Sequence, residues 1–143
     1  MDLRSRRTLQ KRAHRLGREA YTGEGTVTFT ACVQRRGELF VDGETVEAFK
    51  GALRRACHRY ECEVMLYCFM PYHMHVALRG KTPSSDTWRA MVLFKQLSGH
   101  WLARNRTGFL WQGDFYDHVV RKEEDLRSPF AISSRTRFEG ASW

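Results

Sequence analysis

At 143 residues, the chain is long enough to form one domain with a hydrophobic core and too short for two. Its content of 42% hydrophobic and 13% aromatic residues excludes a disordered chain, and no apolar run reaches the length of a membrane span, so we expect a cytoplasmic protein. The 24 Lys and Arg residues against 16 Asp and Glu give a formal charge of +8, which favours a polyanionic partner such as nucleic acid.

Residues 1–20 are predicted to form a basic N-terminal arm. A solvated tail and an arm that binds phosphates both explain this run of charge. A membrane-surface helix is disfavoured because only three leucines could form its apolar face. The candidate DNA-binding residues of the arm are Arg4, Arg6, Arg7, Lys11 and Arg12.

Hydrophobic periodicity predicts a chain order of β-α-β-β-α-β. The predicted strands cover 26–33, 64–70 and 73–78, followed by short strands at 109–111 and 116–120; the predicted helices cover 45–60 and run from about 82–86 to 104. This order predicts an α+β fold, a ferredoxin-like sandwich in which two helices back one antiparallel sheet, formed by residues 21–126. Residues 127–143 lack periodicity and are predicted to be an irregular tail.

Two histidines on the third strand are the first candidate for chemistry. His73 and His75 are two residues apart, so both side chains emerge on one face of the strand, while Met74 between them points to the core. Two adjacent imidazoles can hold a divalent cation if a third ligand joins them. An H-x-H pair also occurs without any ligand role, so spacing alone leaves both explanations open.

The four cysteines offer a separate metal hypothesis. None of them forms a C-x-x-C unit, and in a cytosolic chain they are most simply small buried hydrophobic residues. A zinc site built from Cys62, Cys68, His73 and His75 is the alternative, although its spacing matches no standard pattern.

Four segments of the chain, taken together, resemble those of a known family. In chain order they are Thr26–Phe29, Met70–Val76, Leu110–Gln112 and Phe115–Leu126. Together they resemble the REP-associated tyrosine transposases, relatives of the insertion sequence 200 family within the HUH endonucleases, over residues 20–126. The chain departs from that pattern at Tyr72, where the family usually has Asn before the first histidine.

The resemblance implies a single-strand DNA nuclease and strand transferase that acts in DNA transposition. It implies that His73 and His75 bind Mg²⁺ or Mn²⁺, which polarises the scissile phosphate, and that a tyrosine hydroxyl attacks to give a 5′-phosphotyrosine and a free 3′-OH. It also implies single-stranded DNA with a hairpin as the substrate and a homodimer as the assembly.

Basic and aromatic residues of this domain are candidates for DNA contacts. Lys95 and Arg104 on the second helix could bind phosphates, although both also fit a solvated helix face. Trp111, Phe115 and Tyr116 could stack on bases, but packing in the core is the alternative, and for Trp111 we prefer it.

The nucleophile implied by the resemblance is not evident. In the family it lies on a C-terminal helix a few residues beyond the stretch that corresponds to Glu123–Leu126, in a motif whose Asn approaches the metal as third ligand. This chain has no tyrosine after Tyr116 and no Asn after Asn105. Tyr116 and Tyr72 are the remaining candidates, and each also fits a structural role. Without that helix, we expect Tyr67, Phe69 and the histidine pair to be exposed on an aggregation-prone face of the sheet.

The tail suggests a genetic explanation for the missing helix. Permitted codons for Ser128–Trp143, read one base earlier, can spell a Tyr-Ile-Leu-Glu-Asn-Pro-Val segment like that of the family. We therefore predict a one-base insertion or deletion near codon 127. Sequencing of the locus tests this hypothesis, because a codon set without that pattern in the neighbouring frame excludes it.

The sequence thus predicts a transposase-family DNA-binding protein with half of an active site. Whether the chain is an active enzyme stays open. The alternatives are a non-catalytic nucleic-acid-binding module and an inert truncated product.

Overall fold

The computed structural model describes residues 17–119 and 138–141. Its elements in chain order are α1 (Arg18–Tyr21), β1 (Thr26–Val33), a 3₁₀ turn (Gln34–Arg36), α2 (Gly43–Arg59), β2 (Cys62–Met70), β3 (His73–Gly80), α3 (Thr87–Asn105), β4 (Trp111–Val119) and β5 (Phe138–Ala141). The candidate residues of the arm, Arg4, Arg6, Arg7, Lys11 and Arg12, lie outside the described residues.

The strands form one sheet in the order β4-β1-β3-β2-β5, and every neighbouring pair is antiparallel. The first four positions are those of a ferredoxin-like sheet. The predicted α+β class is therefore confirmed. No helix of the described part of the chain is long and apolar enough to cross a membrane.

The core lies between the sheet and the two long helices. Phe29 on β1 and Met74, Val76 and Leu78 on β3 are almost fully buried, as the alternating pattern predicts. They belong to one cluster with Phe49 of α2 and with residues of α3. The sheet therefore has a helix-covered face, and a second face that carries the residues at the intervening positions.

Capping carboxylates position both helices. The side chain of Asp42 accepts a hydrogen bond from the backbone N–H of Thr45, and Asp86 accepts one from Arg89, at 2.8 and 2.9 Å. Asp86 lies in the segment predicted to start the second helix. Gly108, three residues beyond the end of α3, has φ +98, a conformation that glycine adopts without strain.

Two predictions for the strands are wrong in detail. The short strands predicted at 109–111 and 116–120 are a single strand, Trp111–Val119. This strand stays paired with β1 on both sides of a register shift between Ala31 and Val33. The tail predicted to be irregular contains β5, which pairs with residues 66–69 of β2. This four-residue strand forms through backbone pairing and has no period-2 pattern of its own.

The predicted orientation of β2 is also wrong. A register shift between Val64 and Leu66 reverses the alternation, so that Tyr67 and Phe69 lie opposite Val76 and Met74 on the helix-covered face. Both aromatic residues are buried there, at 8% and 0% exposure. They are core residues and do not form an exposed aromatic surface.

Candidate functional site

The two histidines lie on the face of β3 that turns away from the helices. His73 is directly opposite Cys32 on β1 and Met70 on β2. Residues that are directly opposite in a sheet share a face, so these side chains form one row across three strands. The next row is formed by Thr30, His75 and Cys68.

The imidazole rings of the pair are close enough to act together. Their centroids are 4.9 Å apart and their planes are inclined at 79°. A hydrogen bond of 2.8 Å joins Thr30 Oγ1 to His75 Nδ1, which orients the ring of His75 and favours coordination of a cation through Nε2. The sequence did not identify Thr30 as a partner of His75, although the alternation of residues 26–33 predicts that Thr30 lies on the outward face of β1.

The surroundings keep both rings neutral at pH 7. Burial, and then repulsion from His73 when that ring is protonated, lower the pKa of His75 to about 4. Burial, and then the guanidinium of Arg36, lower the pKa of His73 below its ordinary value. The neutral imidazole is the form that binds metal ions, so the pair needs no deprotonation step before it binds a cation near neutral pH.

An arginine that the sequence did not single out lies beside the pair. Arg36 Nη2 donates a hydrogen bond of 2.9 Å to the hydroxyl of Tyr72, and its guanidinium lies 4.7 Å from the centre of that ring. The Tyr72 ring is in turn 5.0 Å from the ring of His73. The loop contact between Arg36 and Tyr72 joins residues 36 positions apart, so no local sequence pattern predicts it.

The backbone at this arginine is strained. Arg35 and Arg36 have φ of 57 and 53, in the left-handed region that glycine and asparagine favour. This conformation costs roughly 1–2 kcal/mol for each L-residue that has a Cβ. Such outliers are concentrated at functional sites.

A third protein ligand does not join the histidines within residues 17–119. No group of three His, Cys, Asp or Glu side chains in the described part of the chain could hold a metal ion. The zinc hypothesis is therefore wrong for these residues: Cys62 begins β2 opposite Gly80, seven residues along β3 from His73. Cys68 does share the histidine face, but its thiol contacts the sulfur of Met70 at 3.6 Å.

The described side chains thus provide some, but not all, of the ligands of a divalent cation. Two neutral imidazoles match the nitrogen ligands of a divalent cation, while the remaining positions would need oxygen donors from elsewhere. In the described part of the chain, His73 and His75 provide these two nitrogen ligands.

The two tyrosine candidates lie at different places around the pair. Tyr116 is opposite Thr30 on β4 and is 40% exposed. Since Thr30 is opposite His75 and strands are about 4.8 Å apart, the backbones of Tyr116 and His75 are about 10 Å apart on the same face. Tyr72 lies in the β2–β3 turn with its hydroxyl bonded to Arg36.

The helix residues proposed for DNA contacts lie on the other side of the sheet. Lys95 donates a 2.7 Å hydrogen bond to the carbonyl of Gln112, which ties α3 to the start of β4. Arg104 is exposed near the end of α3. Neither lies in the rows that contain the histidines.

Trp111 is a core residue, as preferred from the sequence. It is buried at 9% exposure, and its indole N–H donates to Ser98 Oγ at 2.8 Å. Its ring lies within 6 Å of the rings of Phe40, Phe49 and Phe94. The side chain of Phe115 lies outside the described residues.

The histidine face is less exposed than the sequence predicted. His75 is 7% exposed, and Met70 and Cys68 are 3% and 1% exposed. His73, Thr30 and Cys32 are intermediate. Access to the pair is therefore through His73 and the neighbouring Tyr72.

Comparison with known proteins points to one family. The family model described as "Transposase IS200 like" matches residues 22–125, close to the interval 20–126 over which the motifs occur. A protein of Haemophilus influenzae named "Putative REP-associated tyrosine transposase" is 23% identical in an alignment of 121 positions that covers 76% of this chain and 68% of that protein.

Solved structures share the fold. The structure of a REP-associated tyrosine transposase bound to a REP hairpin superposes with a TM-score of 0.61 at 23% identity, covering 75% of this chain and 62% of that one. A structure described as a "putative transposase from deinococcus radiodurans r1" gives a TM-score of 0.60 at 19% identity, covering 81% of this chain and 93% of that one. The chain thus spans about three fifths of the hairpin-bound relative.

Proposed function

This chain belongs to the IS200-like transposase family, and from that premise we propose that it binds single-stranded DNA with a hairpin and holds Mg²⁺ or Mn²⁺ on His73 and His75. The observation that carries the proposal is the pair itself: two imidazoles, 4.9 Å apart, on the sheet face opposite the helices, where burial lowers the pKa of both rings. The relative whose fold it shares is bound to a hairpin.

The residues around the pair have distinct parts in this function. Thr30 orients the ring of His75 through Nδ1, and His73 stands at the accessible side. A bound divalent cation would supply Lewis-acid polarisation of a DNA phosphate. Phosphate oxygens of the DNA are hard oxygen donors of the kind that Mg²⁺ and Mn²⁺ favour, so the substrate can complete the partial donor set.

We propose that binding is the activity that this chain carries by itself. Cleavage requires a tyrosine oxygen to form a bond to phosphorus while the P–O3′ bond breaks and the 3′ oxygen takes up a proton. In the described part of the chain, Tyr116 is the tyrosine that shares the histidine face and is exposed. Tyr116 is therefore the tyrosine of this chain that we propose as the nucleophile if the chain cleaves DNA.

A labelled hairpin oligonucleotide with a single-stranded flank tests the proposal. We expect a complex in native gels that Mn²⁺ strengthens, and we expect the His73→Ala/His75→Ala variant to lose the Mn²⁺ effect. The matched control is His58→Ala/His100→Ala, which removes two exposed histidines from the helices. Equal Mn²⁺ dependence in all three proteins would rule out the histidine site.

Denaturing gels of the same reactions test the nucleophile. A DNA adduct that survives denaturation and disappears in Tyr116→Phe would assign cleavage to Tyr116. Binding without an adduct supports the chain as a DNA-binding protein that does not cleave. DNA binding that depends neither on Mn²⁺ nor on the two histidines favours the second candidate function, a nucleic-acid-binding module without a metal.

We also propose that the protein is a homodimer, as the family resemblance implies, and that it acts in the cytoplasm. Light scattering of the purified chain is expected to give twice the chain mass, and with hairpin DNA present it is expected to give the mass of two chains plus the bound DNA. A monomer mass under both conditions contradicts this assembly.

A further inference from the structure

We propose that Arg36, held in place by Tyr72, binds a phosphate of the DNA strand at the entrance to the histidine pair. The inference rests on the proposed DNA-binding function and assigns a backbone-binding residue to that site.

The first argument is position. The Arg36 guanidinium lies over the Tyr72 ring at 4.7 Å, and that ring lies 5.0 Å from the His73 ring. Arg36 is therefore one side chain away from the accessible histidine. A strand that brings a phosphate to His73 must pass close to this cation.

The second argument is the charge of Arg36. Three other arginines, Arg79, Arg89 and Arg106, each pair with a carboxylate. Within residues 17–119 and 138–141, no carboxylate lies within salt-bridge distance of Arg36, and its side-chain acceptor is a phenol. A guanidinium has five N–H donors in a planar fork, so the bond to Tyr72 leaves donors for a bidentate contact to a phosphate.

The third argument is that the loop is fixed in place. Val33 and Phe40, at its two ends, donate backbone hydrogen bonds of 2.9 and 3.0 Å to the carbonyls of Tyr72 and Pro71. Gln34 donates to Leu110 at 2.7 Å through its backbone and to the Trp111 carbonyl at 3.2 Å through its side chain. An exposed arginine on an anchored loop has a restricted backbone before the DNA arrives, which lowers the entropy lost on binding.

Arg36→Gln is the test variant, and Arg35→Gln is the matched control. Both arginines are exposed and have left-handed φ, so the two substitutions remove one charge from the same loop in the same conformation. The dissociation constant for hairpin DNA with a single-stranded flank is measured by fluorescence anisotropy at several salt concentrations, and the unfolding temperature of each variant is measured alongside.

We expect Arg36→Gln to weaken binding about tenfold and to reduce the slope of log Kd against log salt by about 1, because one phosphate contact is lost. Arg35→Gln is expected to change both quantities much less. Equal effects of the two substitutions, in affinity and in slope, overturn the assignment to Arg36. A wild-type protein that does not bind the DNA overturns the proposed function as well, so the two failures are distinguishable.

A double-variant comparison tests the positioning role of Tyr72. Tyr72→Leu removes the ring and the hydroxyl that hold the guanidinium, and it should weaken binding nearly as much as Arg36→Gln. The combined Arg36→Gln/Tyr72→Leu variant should bind no more weakly than Arg36→Gln alone. Full affinity in Tyr72→Leu, or additive losses in the double variant, overturns that role.

Discussion

The two faces of the same sheet differ in what their residues do. On β3, Met74, Val76 and Leu78 are fully buried against the helices, while His73 and His75 occupy the intervening positions. Because successive side chains of a strand point to opposite faces, one eight-residue strand serves the core and the candidate site together. Substitutions on the helix-covered face should therefore change stability, and those on the histidine face should change binding.

The largest expected effect is that of Leu78→Ala. This fully buried side chain leaves a cavity in the core, so we expect a loss of about 2–5 kcal/mol in the free energy of unfolding, measured by urea denaturation. The control is the next residue, Arg79→Ala, on the opposite face. Its exposed ion pair with Glu63 contributes at most about 1 kcal/mol. Similar losses for the two variants would contradict the division between the faces.

Thr30→Val tests the histidine face without removing a ligand. It keeps the shape of the side chain but removes the hydroxyl bonded to His75 Nδ1. Residues that orient a ligand typically contribute roughly 10- to 100-fold to metal affinity, so Mn²⁺ affinity measured by calorimetry should fall by at least about tenfold. Thr26→Val, on the same face of β1 but opposite Arg79, is the control and should leave Mn²⁺ affinity unchanged. A Thr30→Val variant with unchanged affinity would show that His75 needs no such orientation.

Substitutions at Trp111 and Tyr116 compare a buried and an exposed aromatic residue of β4. Trp111→Phe should lower the free energy of unfolding by about 1 kcal/mol or more, because the hydrogen bond to Ser98 and part of the buried ring are lost, while DNA affinity stays unchanged. Tyr116→Ala should lower DNA affinity about tenfold, as expected for loss of a stacked base, with a change in stability of at most about 0.5 kcal/mol. The reverse pattern would place the DNA contact at Trp111.

The smallest expected effect concerns the strained loop. Arg35→Gly replaces an L-residue at φ 57 by glycine, so we expect a gain of up to about 1 kcal/mol in the free energy of unfolding. Thermal unfolding measures the change. A destabilised Arg35→Gly variant would show that the Arg35 side chain supports the fold and that strain at this residue is small.

Local patterns predicted the elements but not all of their pairings. The alternation at 26–33 and the three-and-four spacing at 45–60 correspond to β1 and α2, and the two-residue spacing of the histidines predicted their common face. The β2 register shift between Val64 and Leu66 is a property of pairing with β3, so nothing in the apolar run revealed that Tyr67 faces the core.

Sequence patterns did not predict contacts between residues that are distant along the chain. The hydrogen bond between Arg36 and Tyr72 joins a loop to a hairpin turn, and β5 is defined by pairing with β2. Both depend on the assembled sheet. Sequence patterns therefore located the histidines, and the structure was needed to identify Thr30 and Arg36 beside them.

Mn²⁺ binding followed by electron paramagnetic resonance, with hairpin DNA present, tests the histidine site most directly. We predict that the wild-type protein and His58→Ala/His100→Ala convert free Mn²⁺ to the bound form to the same extent, and that His73→Ala/His75→Ala leaves as much free Mn²⁺ as DNA alone. A His73→Ala/His75→Ala protein that binds Mn²⁺ as the wild type does would contradict the assignment of the cation site to this pair.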